Sequence, residues 1–287
     1  MFKIIDRKEL AEGIAQFEVD APFIAKKAIA GQFVVIRVHE EGERVPLTIA
    51  AYDREKGTIM LVSMRVGKST ALLAELKKGD SIIDVVGPLG NASEIEDFGR
   101  VICVGGGVGI APVLPIAKEL KAAGNYVISV IGAKTKDMLI LEDEMGEVSD
   151  ELHICTDDGS LGYKGFVSGF LEDYLKENLI GKDPKKTNIE RCIAIGPALM
   201  MASVAKVTKP FNLKTIVSLN SIMVDGTGMC GACRVAVGGK TKFVCVDGPE
   251  FDAHEVDFEL LISRQRIYCD HEGVCYDLYE EECKCKK

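Results

Sequence analysis

Val101-Ile-Cys-Val-Gly-Gly-Gly-Val-Gly-Ile-Ala-Pro112 passes from an unbroken apolar run, through a glycine turn, into a stretch of helical character that reaches Lys121. An apolar run without alternation marks a strand buried on both faces, as in a parallel sheet. A strand that opens through glycines into a helix lets a pyrophosphate approach free backbone amides. Gly106, Gly107, Val108, Gly109 and Pro112 are therefore candidate nucleotide contacts. The spacing departs from G-x-G-x-x-G, because Ala111 replaces the third glycine one position early.

The residues downstream keep the alternation. Tyr126–Ile131, Leu152–Cys155 and Arg191–Ile195 read as strands, Leu139–Met145 as a short helix and Phe166–Asn178 as an amphipathic one. Gly196-Pro-Ala-Leu-Met200 is again a glycine turn that opens a helix, and Thr156-Asp-Asp-Gly159 is a polar loop after a strand. The alternation predicts a doubly wound parallel sheet over residues 99–212, with ligands at the carboxyl ends of its strands. Three such loops on one sheet edge are a stronger signal than any one of them. Cys103, Cys155 and Cys192 fall on the apolar strands and read as small hydrophobes.

Upstream, residues 1–98 form short β-rich runs broken by Gly, Pro and charged pairs. Phe33–Val38, Leu47–Ala51, Thr58–Val62 and Ser81–Val86 are the clearest, and their spacing predicts a small antiparallel barrel. Ser69–Lys77 reads as a helical insertion with Leu72, Leu73 and Leu76 on one face. Gly67-Lys-Ser-Thr70 stands at its start, where free amides suit a phosphate; an ordinary capped helix reads the same way.

Further downstream, Asp225, Cys230, Cys233 and Cys245 follow the order D-x4-C-x2-C-x11-C. Plant-type [2Fe–2S] loops use C-x4-C-x2-C and a distant fourth cysteine, so an aspartate stands where the first cysteine would be. Gly226, Gly228 and Gly231 suit a loop bent tightly around inorganic sulfide. A zinc knuckle and plain reduced thiols are the alternatives, and Asp225 reads either as a ligand or as the turn residue of Asp-Gly. Arg234–Val237 and Lys242–Cys245 read as a hairpin turning at Gly238-Gly239, which returns Cys245 to the other thiols, and Val246–Asp252 continues as a turn. This small module spans residues 213–263. A tail over 264–287 adds Cys269, Cys275, Cys283, Cys285 and His271, either an accessory zinc or cluster site or a mobile segment of free thiols.

Composition narrows the classes. A formal charge of −9 argues against nucleic acid as a partner. No apolar run approaches a membrane span and the N-terminus has no signal-peptide pattern, so ten cysteines point to metal work in a reducing cytoplasm.

Gly31-Gln-Phe33, Arg44-Val-Pro-Leu-Thr48, Arg65-Val-Gly-Lys-Ser-Thr70 and Gly87-Pro-Leu-Gly-Asn91, in that order, resemble the flavin barrel of the ferredoxin–NADP reductase superfamily. The resemblance implies FAD, with Leu47 and Thr48 flanking the isoalloxazine and Thr48 near N5. Arg44, Val45 and Pro46 complete that segment, Val45 holding the place of the family arginine. The pyrophosphate then falls to Gly67, Ser69 and Thr70, and Val62, Ser63 and Met64 line the ribityl and adenosine side. The three strand-end loops resemble the superfamily's nicotinamide-nucleotide domain. Asp157 and Asp158 suit ribose hydroxyls and repel a 2′-phosphate, which favours NAD(H) over NADP(H), although Lys134 and Lys136 pull the other way.

With its cysteine module, the stretch from Phe2 to Ser263 resembles two related groups. One is the electron-transfer subunit of class 1B dihydroorotate dehydrogenase; the other is the small subunit of NADH-dependent ferredoxin–NADP oxidoreductase. Asp225 in place of a cysteine favours the second. The resemblance implies a flavoprotein oxidoreductase subunit that passes electrons between NAD(H), FAD and a [2Fe–2S] cluster. It also implies a large flavin and iron–sulfur catalytic partner, through which ferredoxin is reached. The dihydroorotate dehydrogenase role and a non-enzymatic redox sensor are the alternatives.

Overall fold

The computed structural model describes residues 1–179 and 188–285. Its first unit is antiparallel: β1 (Phe2–Ala11), β2 (Ile14–Asp20), α1 (Pro22–Ala25), β3 (Phe33–Arg37), β4 (Arg44–Asp53), β5 (Thr58–Met64), α2 (Lys68–Glu75), β6 (Ser81–Ile82) and β7 (Asp84–Leu89). The strands lie in the order β6-β1-β2-β5-β4-β3-β7 and curl into a nearly closed barrel. Alternation along β3 divides its side chains between two cores. Val34 and Ile36 join Ile4, Phe17, Ile49 and Leu61 inside the barrel. Phe33 and Val35 point outward and are buried under the rest of the chain. α2 begins a residue earlier than the sequence pattern suggests and buries Ala71 and Leu73. Leu76 turns to an extended conformation and ends it.

The second unit alternates: β8 (Arg100–Gly106), α3 (Ile110–Ala122), β9 (Tyr126–Ala133), α4 (Glu142–Glu147), β10 (Glu151–Thr156), β11 (Tyr163–Lys164), α5 (Val167–Leu179), β12 (Ile189–Ile195), α6 (Ala198–Thr208) and β13 (Thr215–Ser218). The chain then runs through β14 (Arg234–Val237), β15 (Lys240–Phe243), α7 (Val244–Asp247), β16 (Glu250–Asp252), α8 (Phe258–Gln265) and α9 (Cys269–Cys285). The large sheet has the order β11-β10-β9-β8-β12-β13-β16. From the central β8 the chain winds first toward β9 and β10 and later returns to β12 on the other side. The strand order therefore reverses between β8 and β12, where an open α/β sheet leaves a crevice.

Four local expectations are corrected. The helix read at Leu139–Met145 starts only at Glu142, because Leu141 takes a left-handed φ of 56° that cannot begin a helix. Cys245 sits in the short helix α7, not at a strand end. The stretch after it, read as a turn, forms β16, which pairs antiparallel with β13 and buries Phe251. The tail is a helix through Cys285. Because β13 pairs with both β12 and β16, the cysteine segment is stitched to the nucleotide sheet. Among the described residues, no helix is long and apolar enough to cross a membrane.

Candidate redox site

The crevice between β8 and β12 is shaped by close backbone approach. A Cβ on Gly109 would fall 2.3 Å from the Ile195 carbonyl oxygen, so only glycine lets the turn touch the end of β12. A Cβ on Gly106 would meet the Met200 sulfur at 2.3 Å, and one on Gly196 would meet it at 2.9 Å. Gly106, Gly109, Gly196 and Met200 are thus brought together, with the unpaired first-turn amides of α3 opening beside them. Pro112, in that first turn, forfeits no helical bond. The third loop is mostly committed to itself. The buried Thr156 hydroxyl donates to the Leu161 carbonyl at 2.7 Å and accepts its amide at 3.0 Å. Asp158 takes the Ser160 hydroxyl and amide, which hold its carboxyl below the usual range. Asp157 is exposed, as are Lys134 and Lys136.

On the barrel, β4 pairs with β3 so that Thr48 lies opposite Phe33, Leu47 opposite Val34 and Pro46 opposite Val35. Directly paired residues share a face. Thr48 is therefore on the outer face, while Val45 and Leu47 pack against the barrel interior. The sequence reading set Leu47 and Thr48 together against one ring; strand alternation puts them on opposite sides. On the neighbouring β5, Ser63 is 6% exposed and its buried hydroxyl lacks a hydrogen-bond partner. Strand alternation sets Ser63 on the inner face with Ile59 and Leu61, opposite Ala15, and sets Val62 and Met64 on the outer face, so the three residues read as one lining do not share a surface. Met64 and Val108 pack against the same core, and β5 contacts the glycine turn, closing the barrel onto it. At the start of α2 the Thr70 hydroxyl accepts the Val66 and Gly67 amides at 3.0 and 3.1 Å, so it builds the turn. Ser69 donates to Glu43 at 3.1 Å.

Two of the cysteine loop's four candidate ligands form a buried pair. Cys233 and Cys245 are buried with sulfurs 3.2 Å apart, and burial, then Cys233, pushes the Cys245 thiol up to about 12. Asp225 accepts the Thr227 amide at 2.9 Å and the Cys230 amide at 2.8 Å, folding the loop over the exposed Cys230. Gly226, Gly228 and Gly231 all have positive φ. Arg234 and Arg264 donate to the Gly231 and Ala232 carbonyls, bracing the C-x2-C turn from behind. Among the described residues no three His, Cys, Asp or Glu side chains close on one point as a single ion requires. A two-iron core takes its ligands as two pairs, one per iron. The Cys233 and Cys245 sulfurs fit one such pair, which leaves Cys230 and Asp225, joined through the Cys230 amide, as the candidates for the other. In the tail, Cys269 and Cys275 are exposed and lie on different sides of α9, while the side chains of Cys283 and Cys285 lie outside the described residues.

What joins these parts is the outer face of β3. A Cβ on Gly226 would fall 2.8 Å from both Val35 and Leu89, so the cysteine loop rests directly on that face. Val35 and Phe33 lie opposite Pro46 and Thr48 one strand away, roughly 5 Å in the pairing direction. Val35 carries no site signal in the sequence, where it reads only as part of a barrel strand, and Phe33 appears there only within the Gly31-Gln-Phe33 segment of the barrel resemblance.

A flavin-type barrel that meets a nucleotide-type unit along β4 and β5 and a cysteine loop on the neighbouring β3 defines a modular redox protein. Residues 220–257 match the iron–sulfur cluster binding domain of dihydroorotate dehydrogenase B. The dihydroorotate dehydrogenase B (NAD(+)) electron transfer subunit homolog of Thermotoga maritima is 49% identical over 96% of this chain and 95% of its own length. The electron transfer subunit of Bacillus caldolyticus is 32% identical over 88% of this chain and 96% of its own. A chain from the solved NADH-dependent reduced ferredoxin–NADP oxidoreductase, studied for flavin-based electron bifurcation, superposes with a TM-score of 0.89. It is 48% identical over 97% of this chain and 98% of its own. The protein belongs to the dihydroorotate dehydrogenase B electron-transfer subunit family.

Proposed function

We propose that this chain is the electron-transfer subunit of an NADH-dependent reduced ferredoxin–NADP oxidoreductase type of complex. It works beside a larger catalytic partner subunit in the cytoplasm, and ferredoxin is reached through that partner. One observation carries the reading: the cysteine loop and Thr48 flank the same short strand, so a flavin and a cluster bound there are neighbours.

When bound, FAD takes up electron pairs from a nicotinamide and releases them singly, and the [2Fe–2S] cluster accepts them one at a time. The protein's own contribution is placement. The amides at the start of α3, with Gly106 and Gly109 allowing close approach, hold a pyrophosphate. Met200, Gly196 and Pro197 border the nicotinamide end, and Asp157 lies where a ribose would be held, in keeping with NAD(H). Thr48 would face the flavin from the outer side of the barrel, with Val62 and Met64 on that same side to exclude water. Asp225, Cys230, Cys233 and Cys245 hold the cluster.

The protein purified without oxygen should carry flavin, iron and acid-labile sulfide, and NADH should bleach both visible chromophores. Absence of sulfide, or bleaching of neither chromophore, overturns the proposal. A second reading, the dihydroorotate dehydrogenase partner, draws on the names of the relatives. Asp225 in place of a fourth cysteine favours the first, and the large subunit that co-purifies decides between them.

A further inference from the structure

β4 does not offer a guanidinium where the barrel resemblance expects one. Val45 stands there and packs on the barrel interior. Arg44 is exposed and lies opposite Arg37, a second guanidinium already paired with Asp84. The two hydroxyls at the start of α2 are also engaged, Thr70 with its own turn and Ser69 with Glu43. A diphosphate in that corner would find helix amides but needs a fixed cation as well.

Arg65 lies in that corner. It directly follows β5 and precedes the α2 turn, its amide donating to the Gly13 carbonyl at 2.8 Å. The Ser69–Glu43 bond brings the start of β4 to the same place. The Arg65 side chain is gripped by the tail: its Nε donates to the Tyr276 hydroxyl at 3.0 Å and its Nη2 pairs with Glu280. Tyr276, Tyr279 and Glu280 share one face of α9, Tyr279 is 8% exposed, and this helix packs on α2. A guanidinium has five donors, so two taken by the tail leave others for phosphate oxygens.

We infer that Arg65 supplies the cation for the FAD diphosphate in place of the missing β4 arginine, and that Tyr276 and Glu280 are its positioning residues. This gives the C-terminal helix a task at the flavin, far in sequence from the barrel it serves. The inference rests on the proposed FAD site. The other charges at this corner are Glu43, Arg44 and Lys68, and only Arg65 among the cations is held by two side chains.

The test uses the full chain, stripped of flavin and titrated by fluorescence with FAD and with riboflavin, which lacks the diphosphate. Arg65→Gln should raise the FAD Kd by about tenfold or more, equivalent to about 1.4 kcal/mol. It should leave riboflavin binding in place and flatten the salt dependence of FAD binding. The double variant Tyr276→Phe, Glu280→Gln should show the same phosphate-specific loss to a smaller degree. Equal losses for both ligands would make Arg65 merely structural and overturn the inference. Tighter FAD binding by the double variant would show Glu280 to be a competitor and overturn its positioning role. A greater loss in Arg44→Gln than in Arg65→Gln would return the diphosphate to Arg44. Wild-type protein that binds neither flavin would instead remove the underlying flavin reading.

Discussion

At the scale of single residues, the cysteine loop shows how one side chain can hold two roles. Asp225 accepts two backbone amides and in doing so sets the loop, whether or not it also reaches iron. Carboxylate oxygen donates less electron density than thiolate, so Asp225→Cys should lower the cluster midpoint potential and alter its EPR spectrum. A titration with potential and spectrum both unchanged would strike Asp225 from the ligand set. Cys233→Ser and Cys245→Ser each remove one member of the buried sulfur pair. Each should reduce cluster retention by more than the about 10–100-fold that loss of an outer-shell partner costs. Iron and sulfide analysis after anaerobic gel filtration checks this.

At the scale of elements, the contacts between turns and strands decide stability. Gly109 has an ordinary helical φ, so alanine there meets no torsional objection; its methyl would collide with the backbone at the end of β12. Gly109→Ala should cost about 1–3 kcal/mol and weaken nucleotide binding, read by denaturant unfolding and NADH titration. The segment joining barrel and sheet is clamped by Glu94, which pairs at 2.7 Å with a nearly buried Arg191. Arg191 holds the Glu94 carboxyl below its ordinary value of 4.5. A depressed carboxylate stabilises the fold above its unfolded-state value, and that contribution fades as pH falls through the folded-state value. Glu94→Gln should therefore lose up to about 1 kcal/mol near neutral pH. The gap from wild type should close below about pH 4 in thermal unfolding. A gap that stays constant in acid would contradict the assignment.

At the scale of the whole molecule, the proposed electron route depends on the cysteine loop resting against the barrel. Gly226 has a φ of 74° and no room for a side chain against Val35 and Leu89. Gly226→Val should lift the loop from the barrel face. In stopped-flow reduction by NADH, cluster bleaching should then slow more than flavin bleaching. Equal slowing of both phases would mean that the loop's seat is not part of the electron route. The tail helix extends the same theme, since its grip on Arg65 connects the end of the chain to the first barrel.

The alternation of apolar strands and helices after Val101 determined the doubly wound sheet, because burial on both faces leaves a run of Val, Ile and Cys with no polar interruption. The spacing of Asp225, Cys230, Cys233 and Cys245 likewise pointed to the ligand loop, since cluster geometry restricts which intervals can close around it. Spacing along one chain says nothing about which face of a strand meets a distant segment. Hence the opposite orientations of Leu47 and Thr48, the seat of Gly226 on Val35 and the capture of Arg65 by Tyr276 and Glu280 came only from tertiary structure. β16 was hidden for a related reason: Asp-Gly-Pro favours a turn locally, and only pairing with β13 and burial of Phe251 made the next three residues a strand. Local periodicity records what each segment buries, whereas the choice of neighbour is settled when separate surfaces meet and exclude water together.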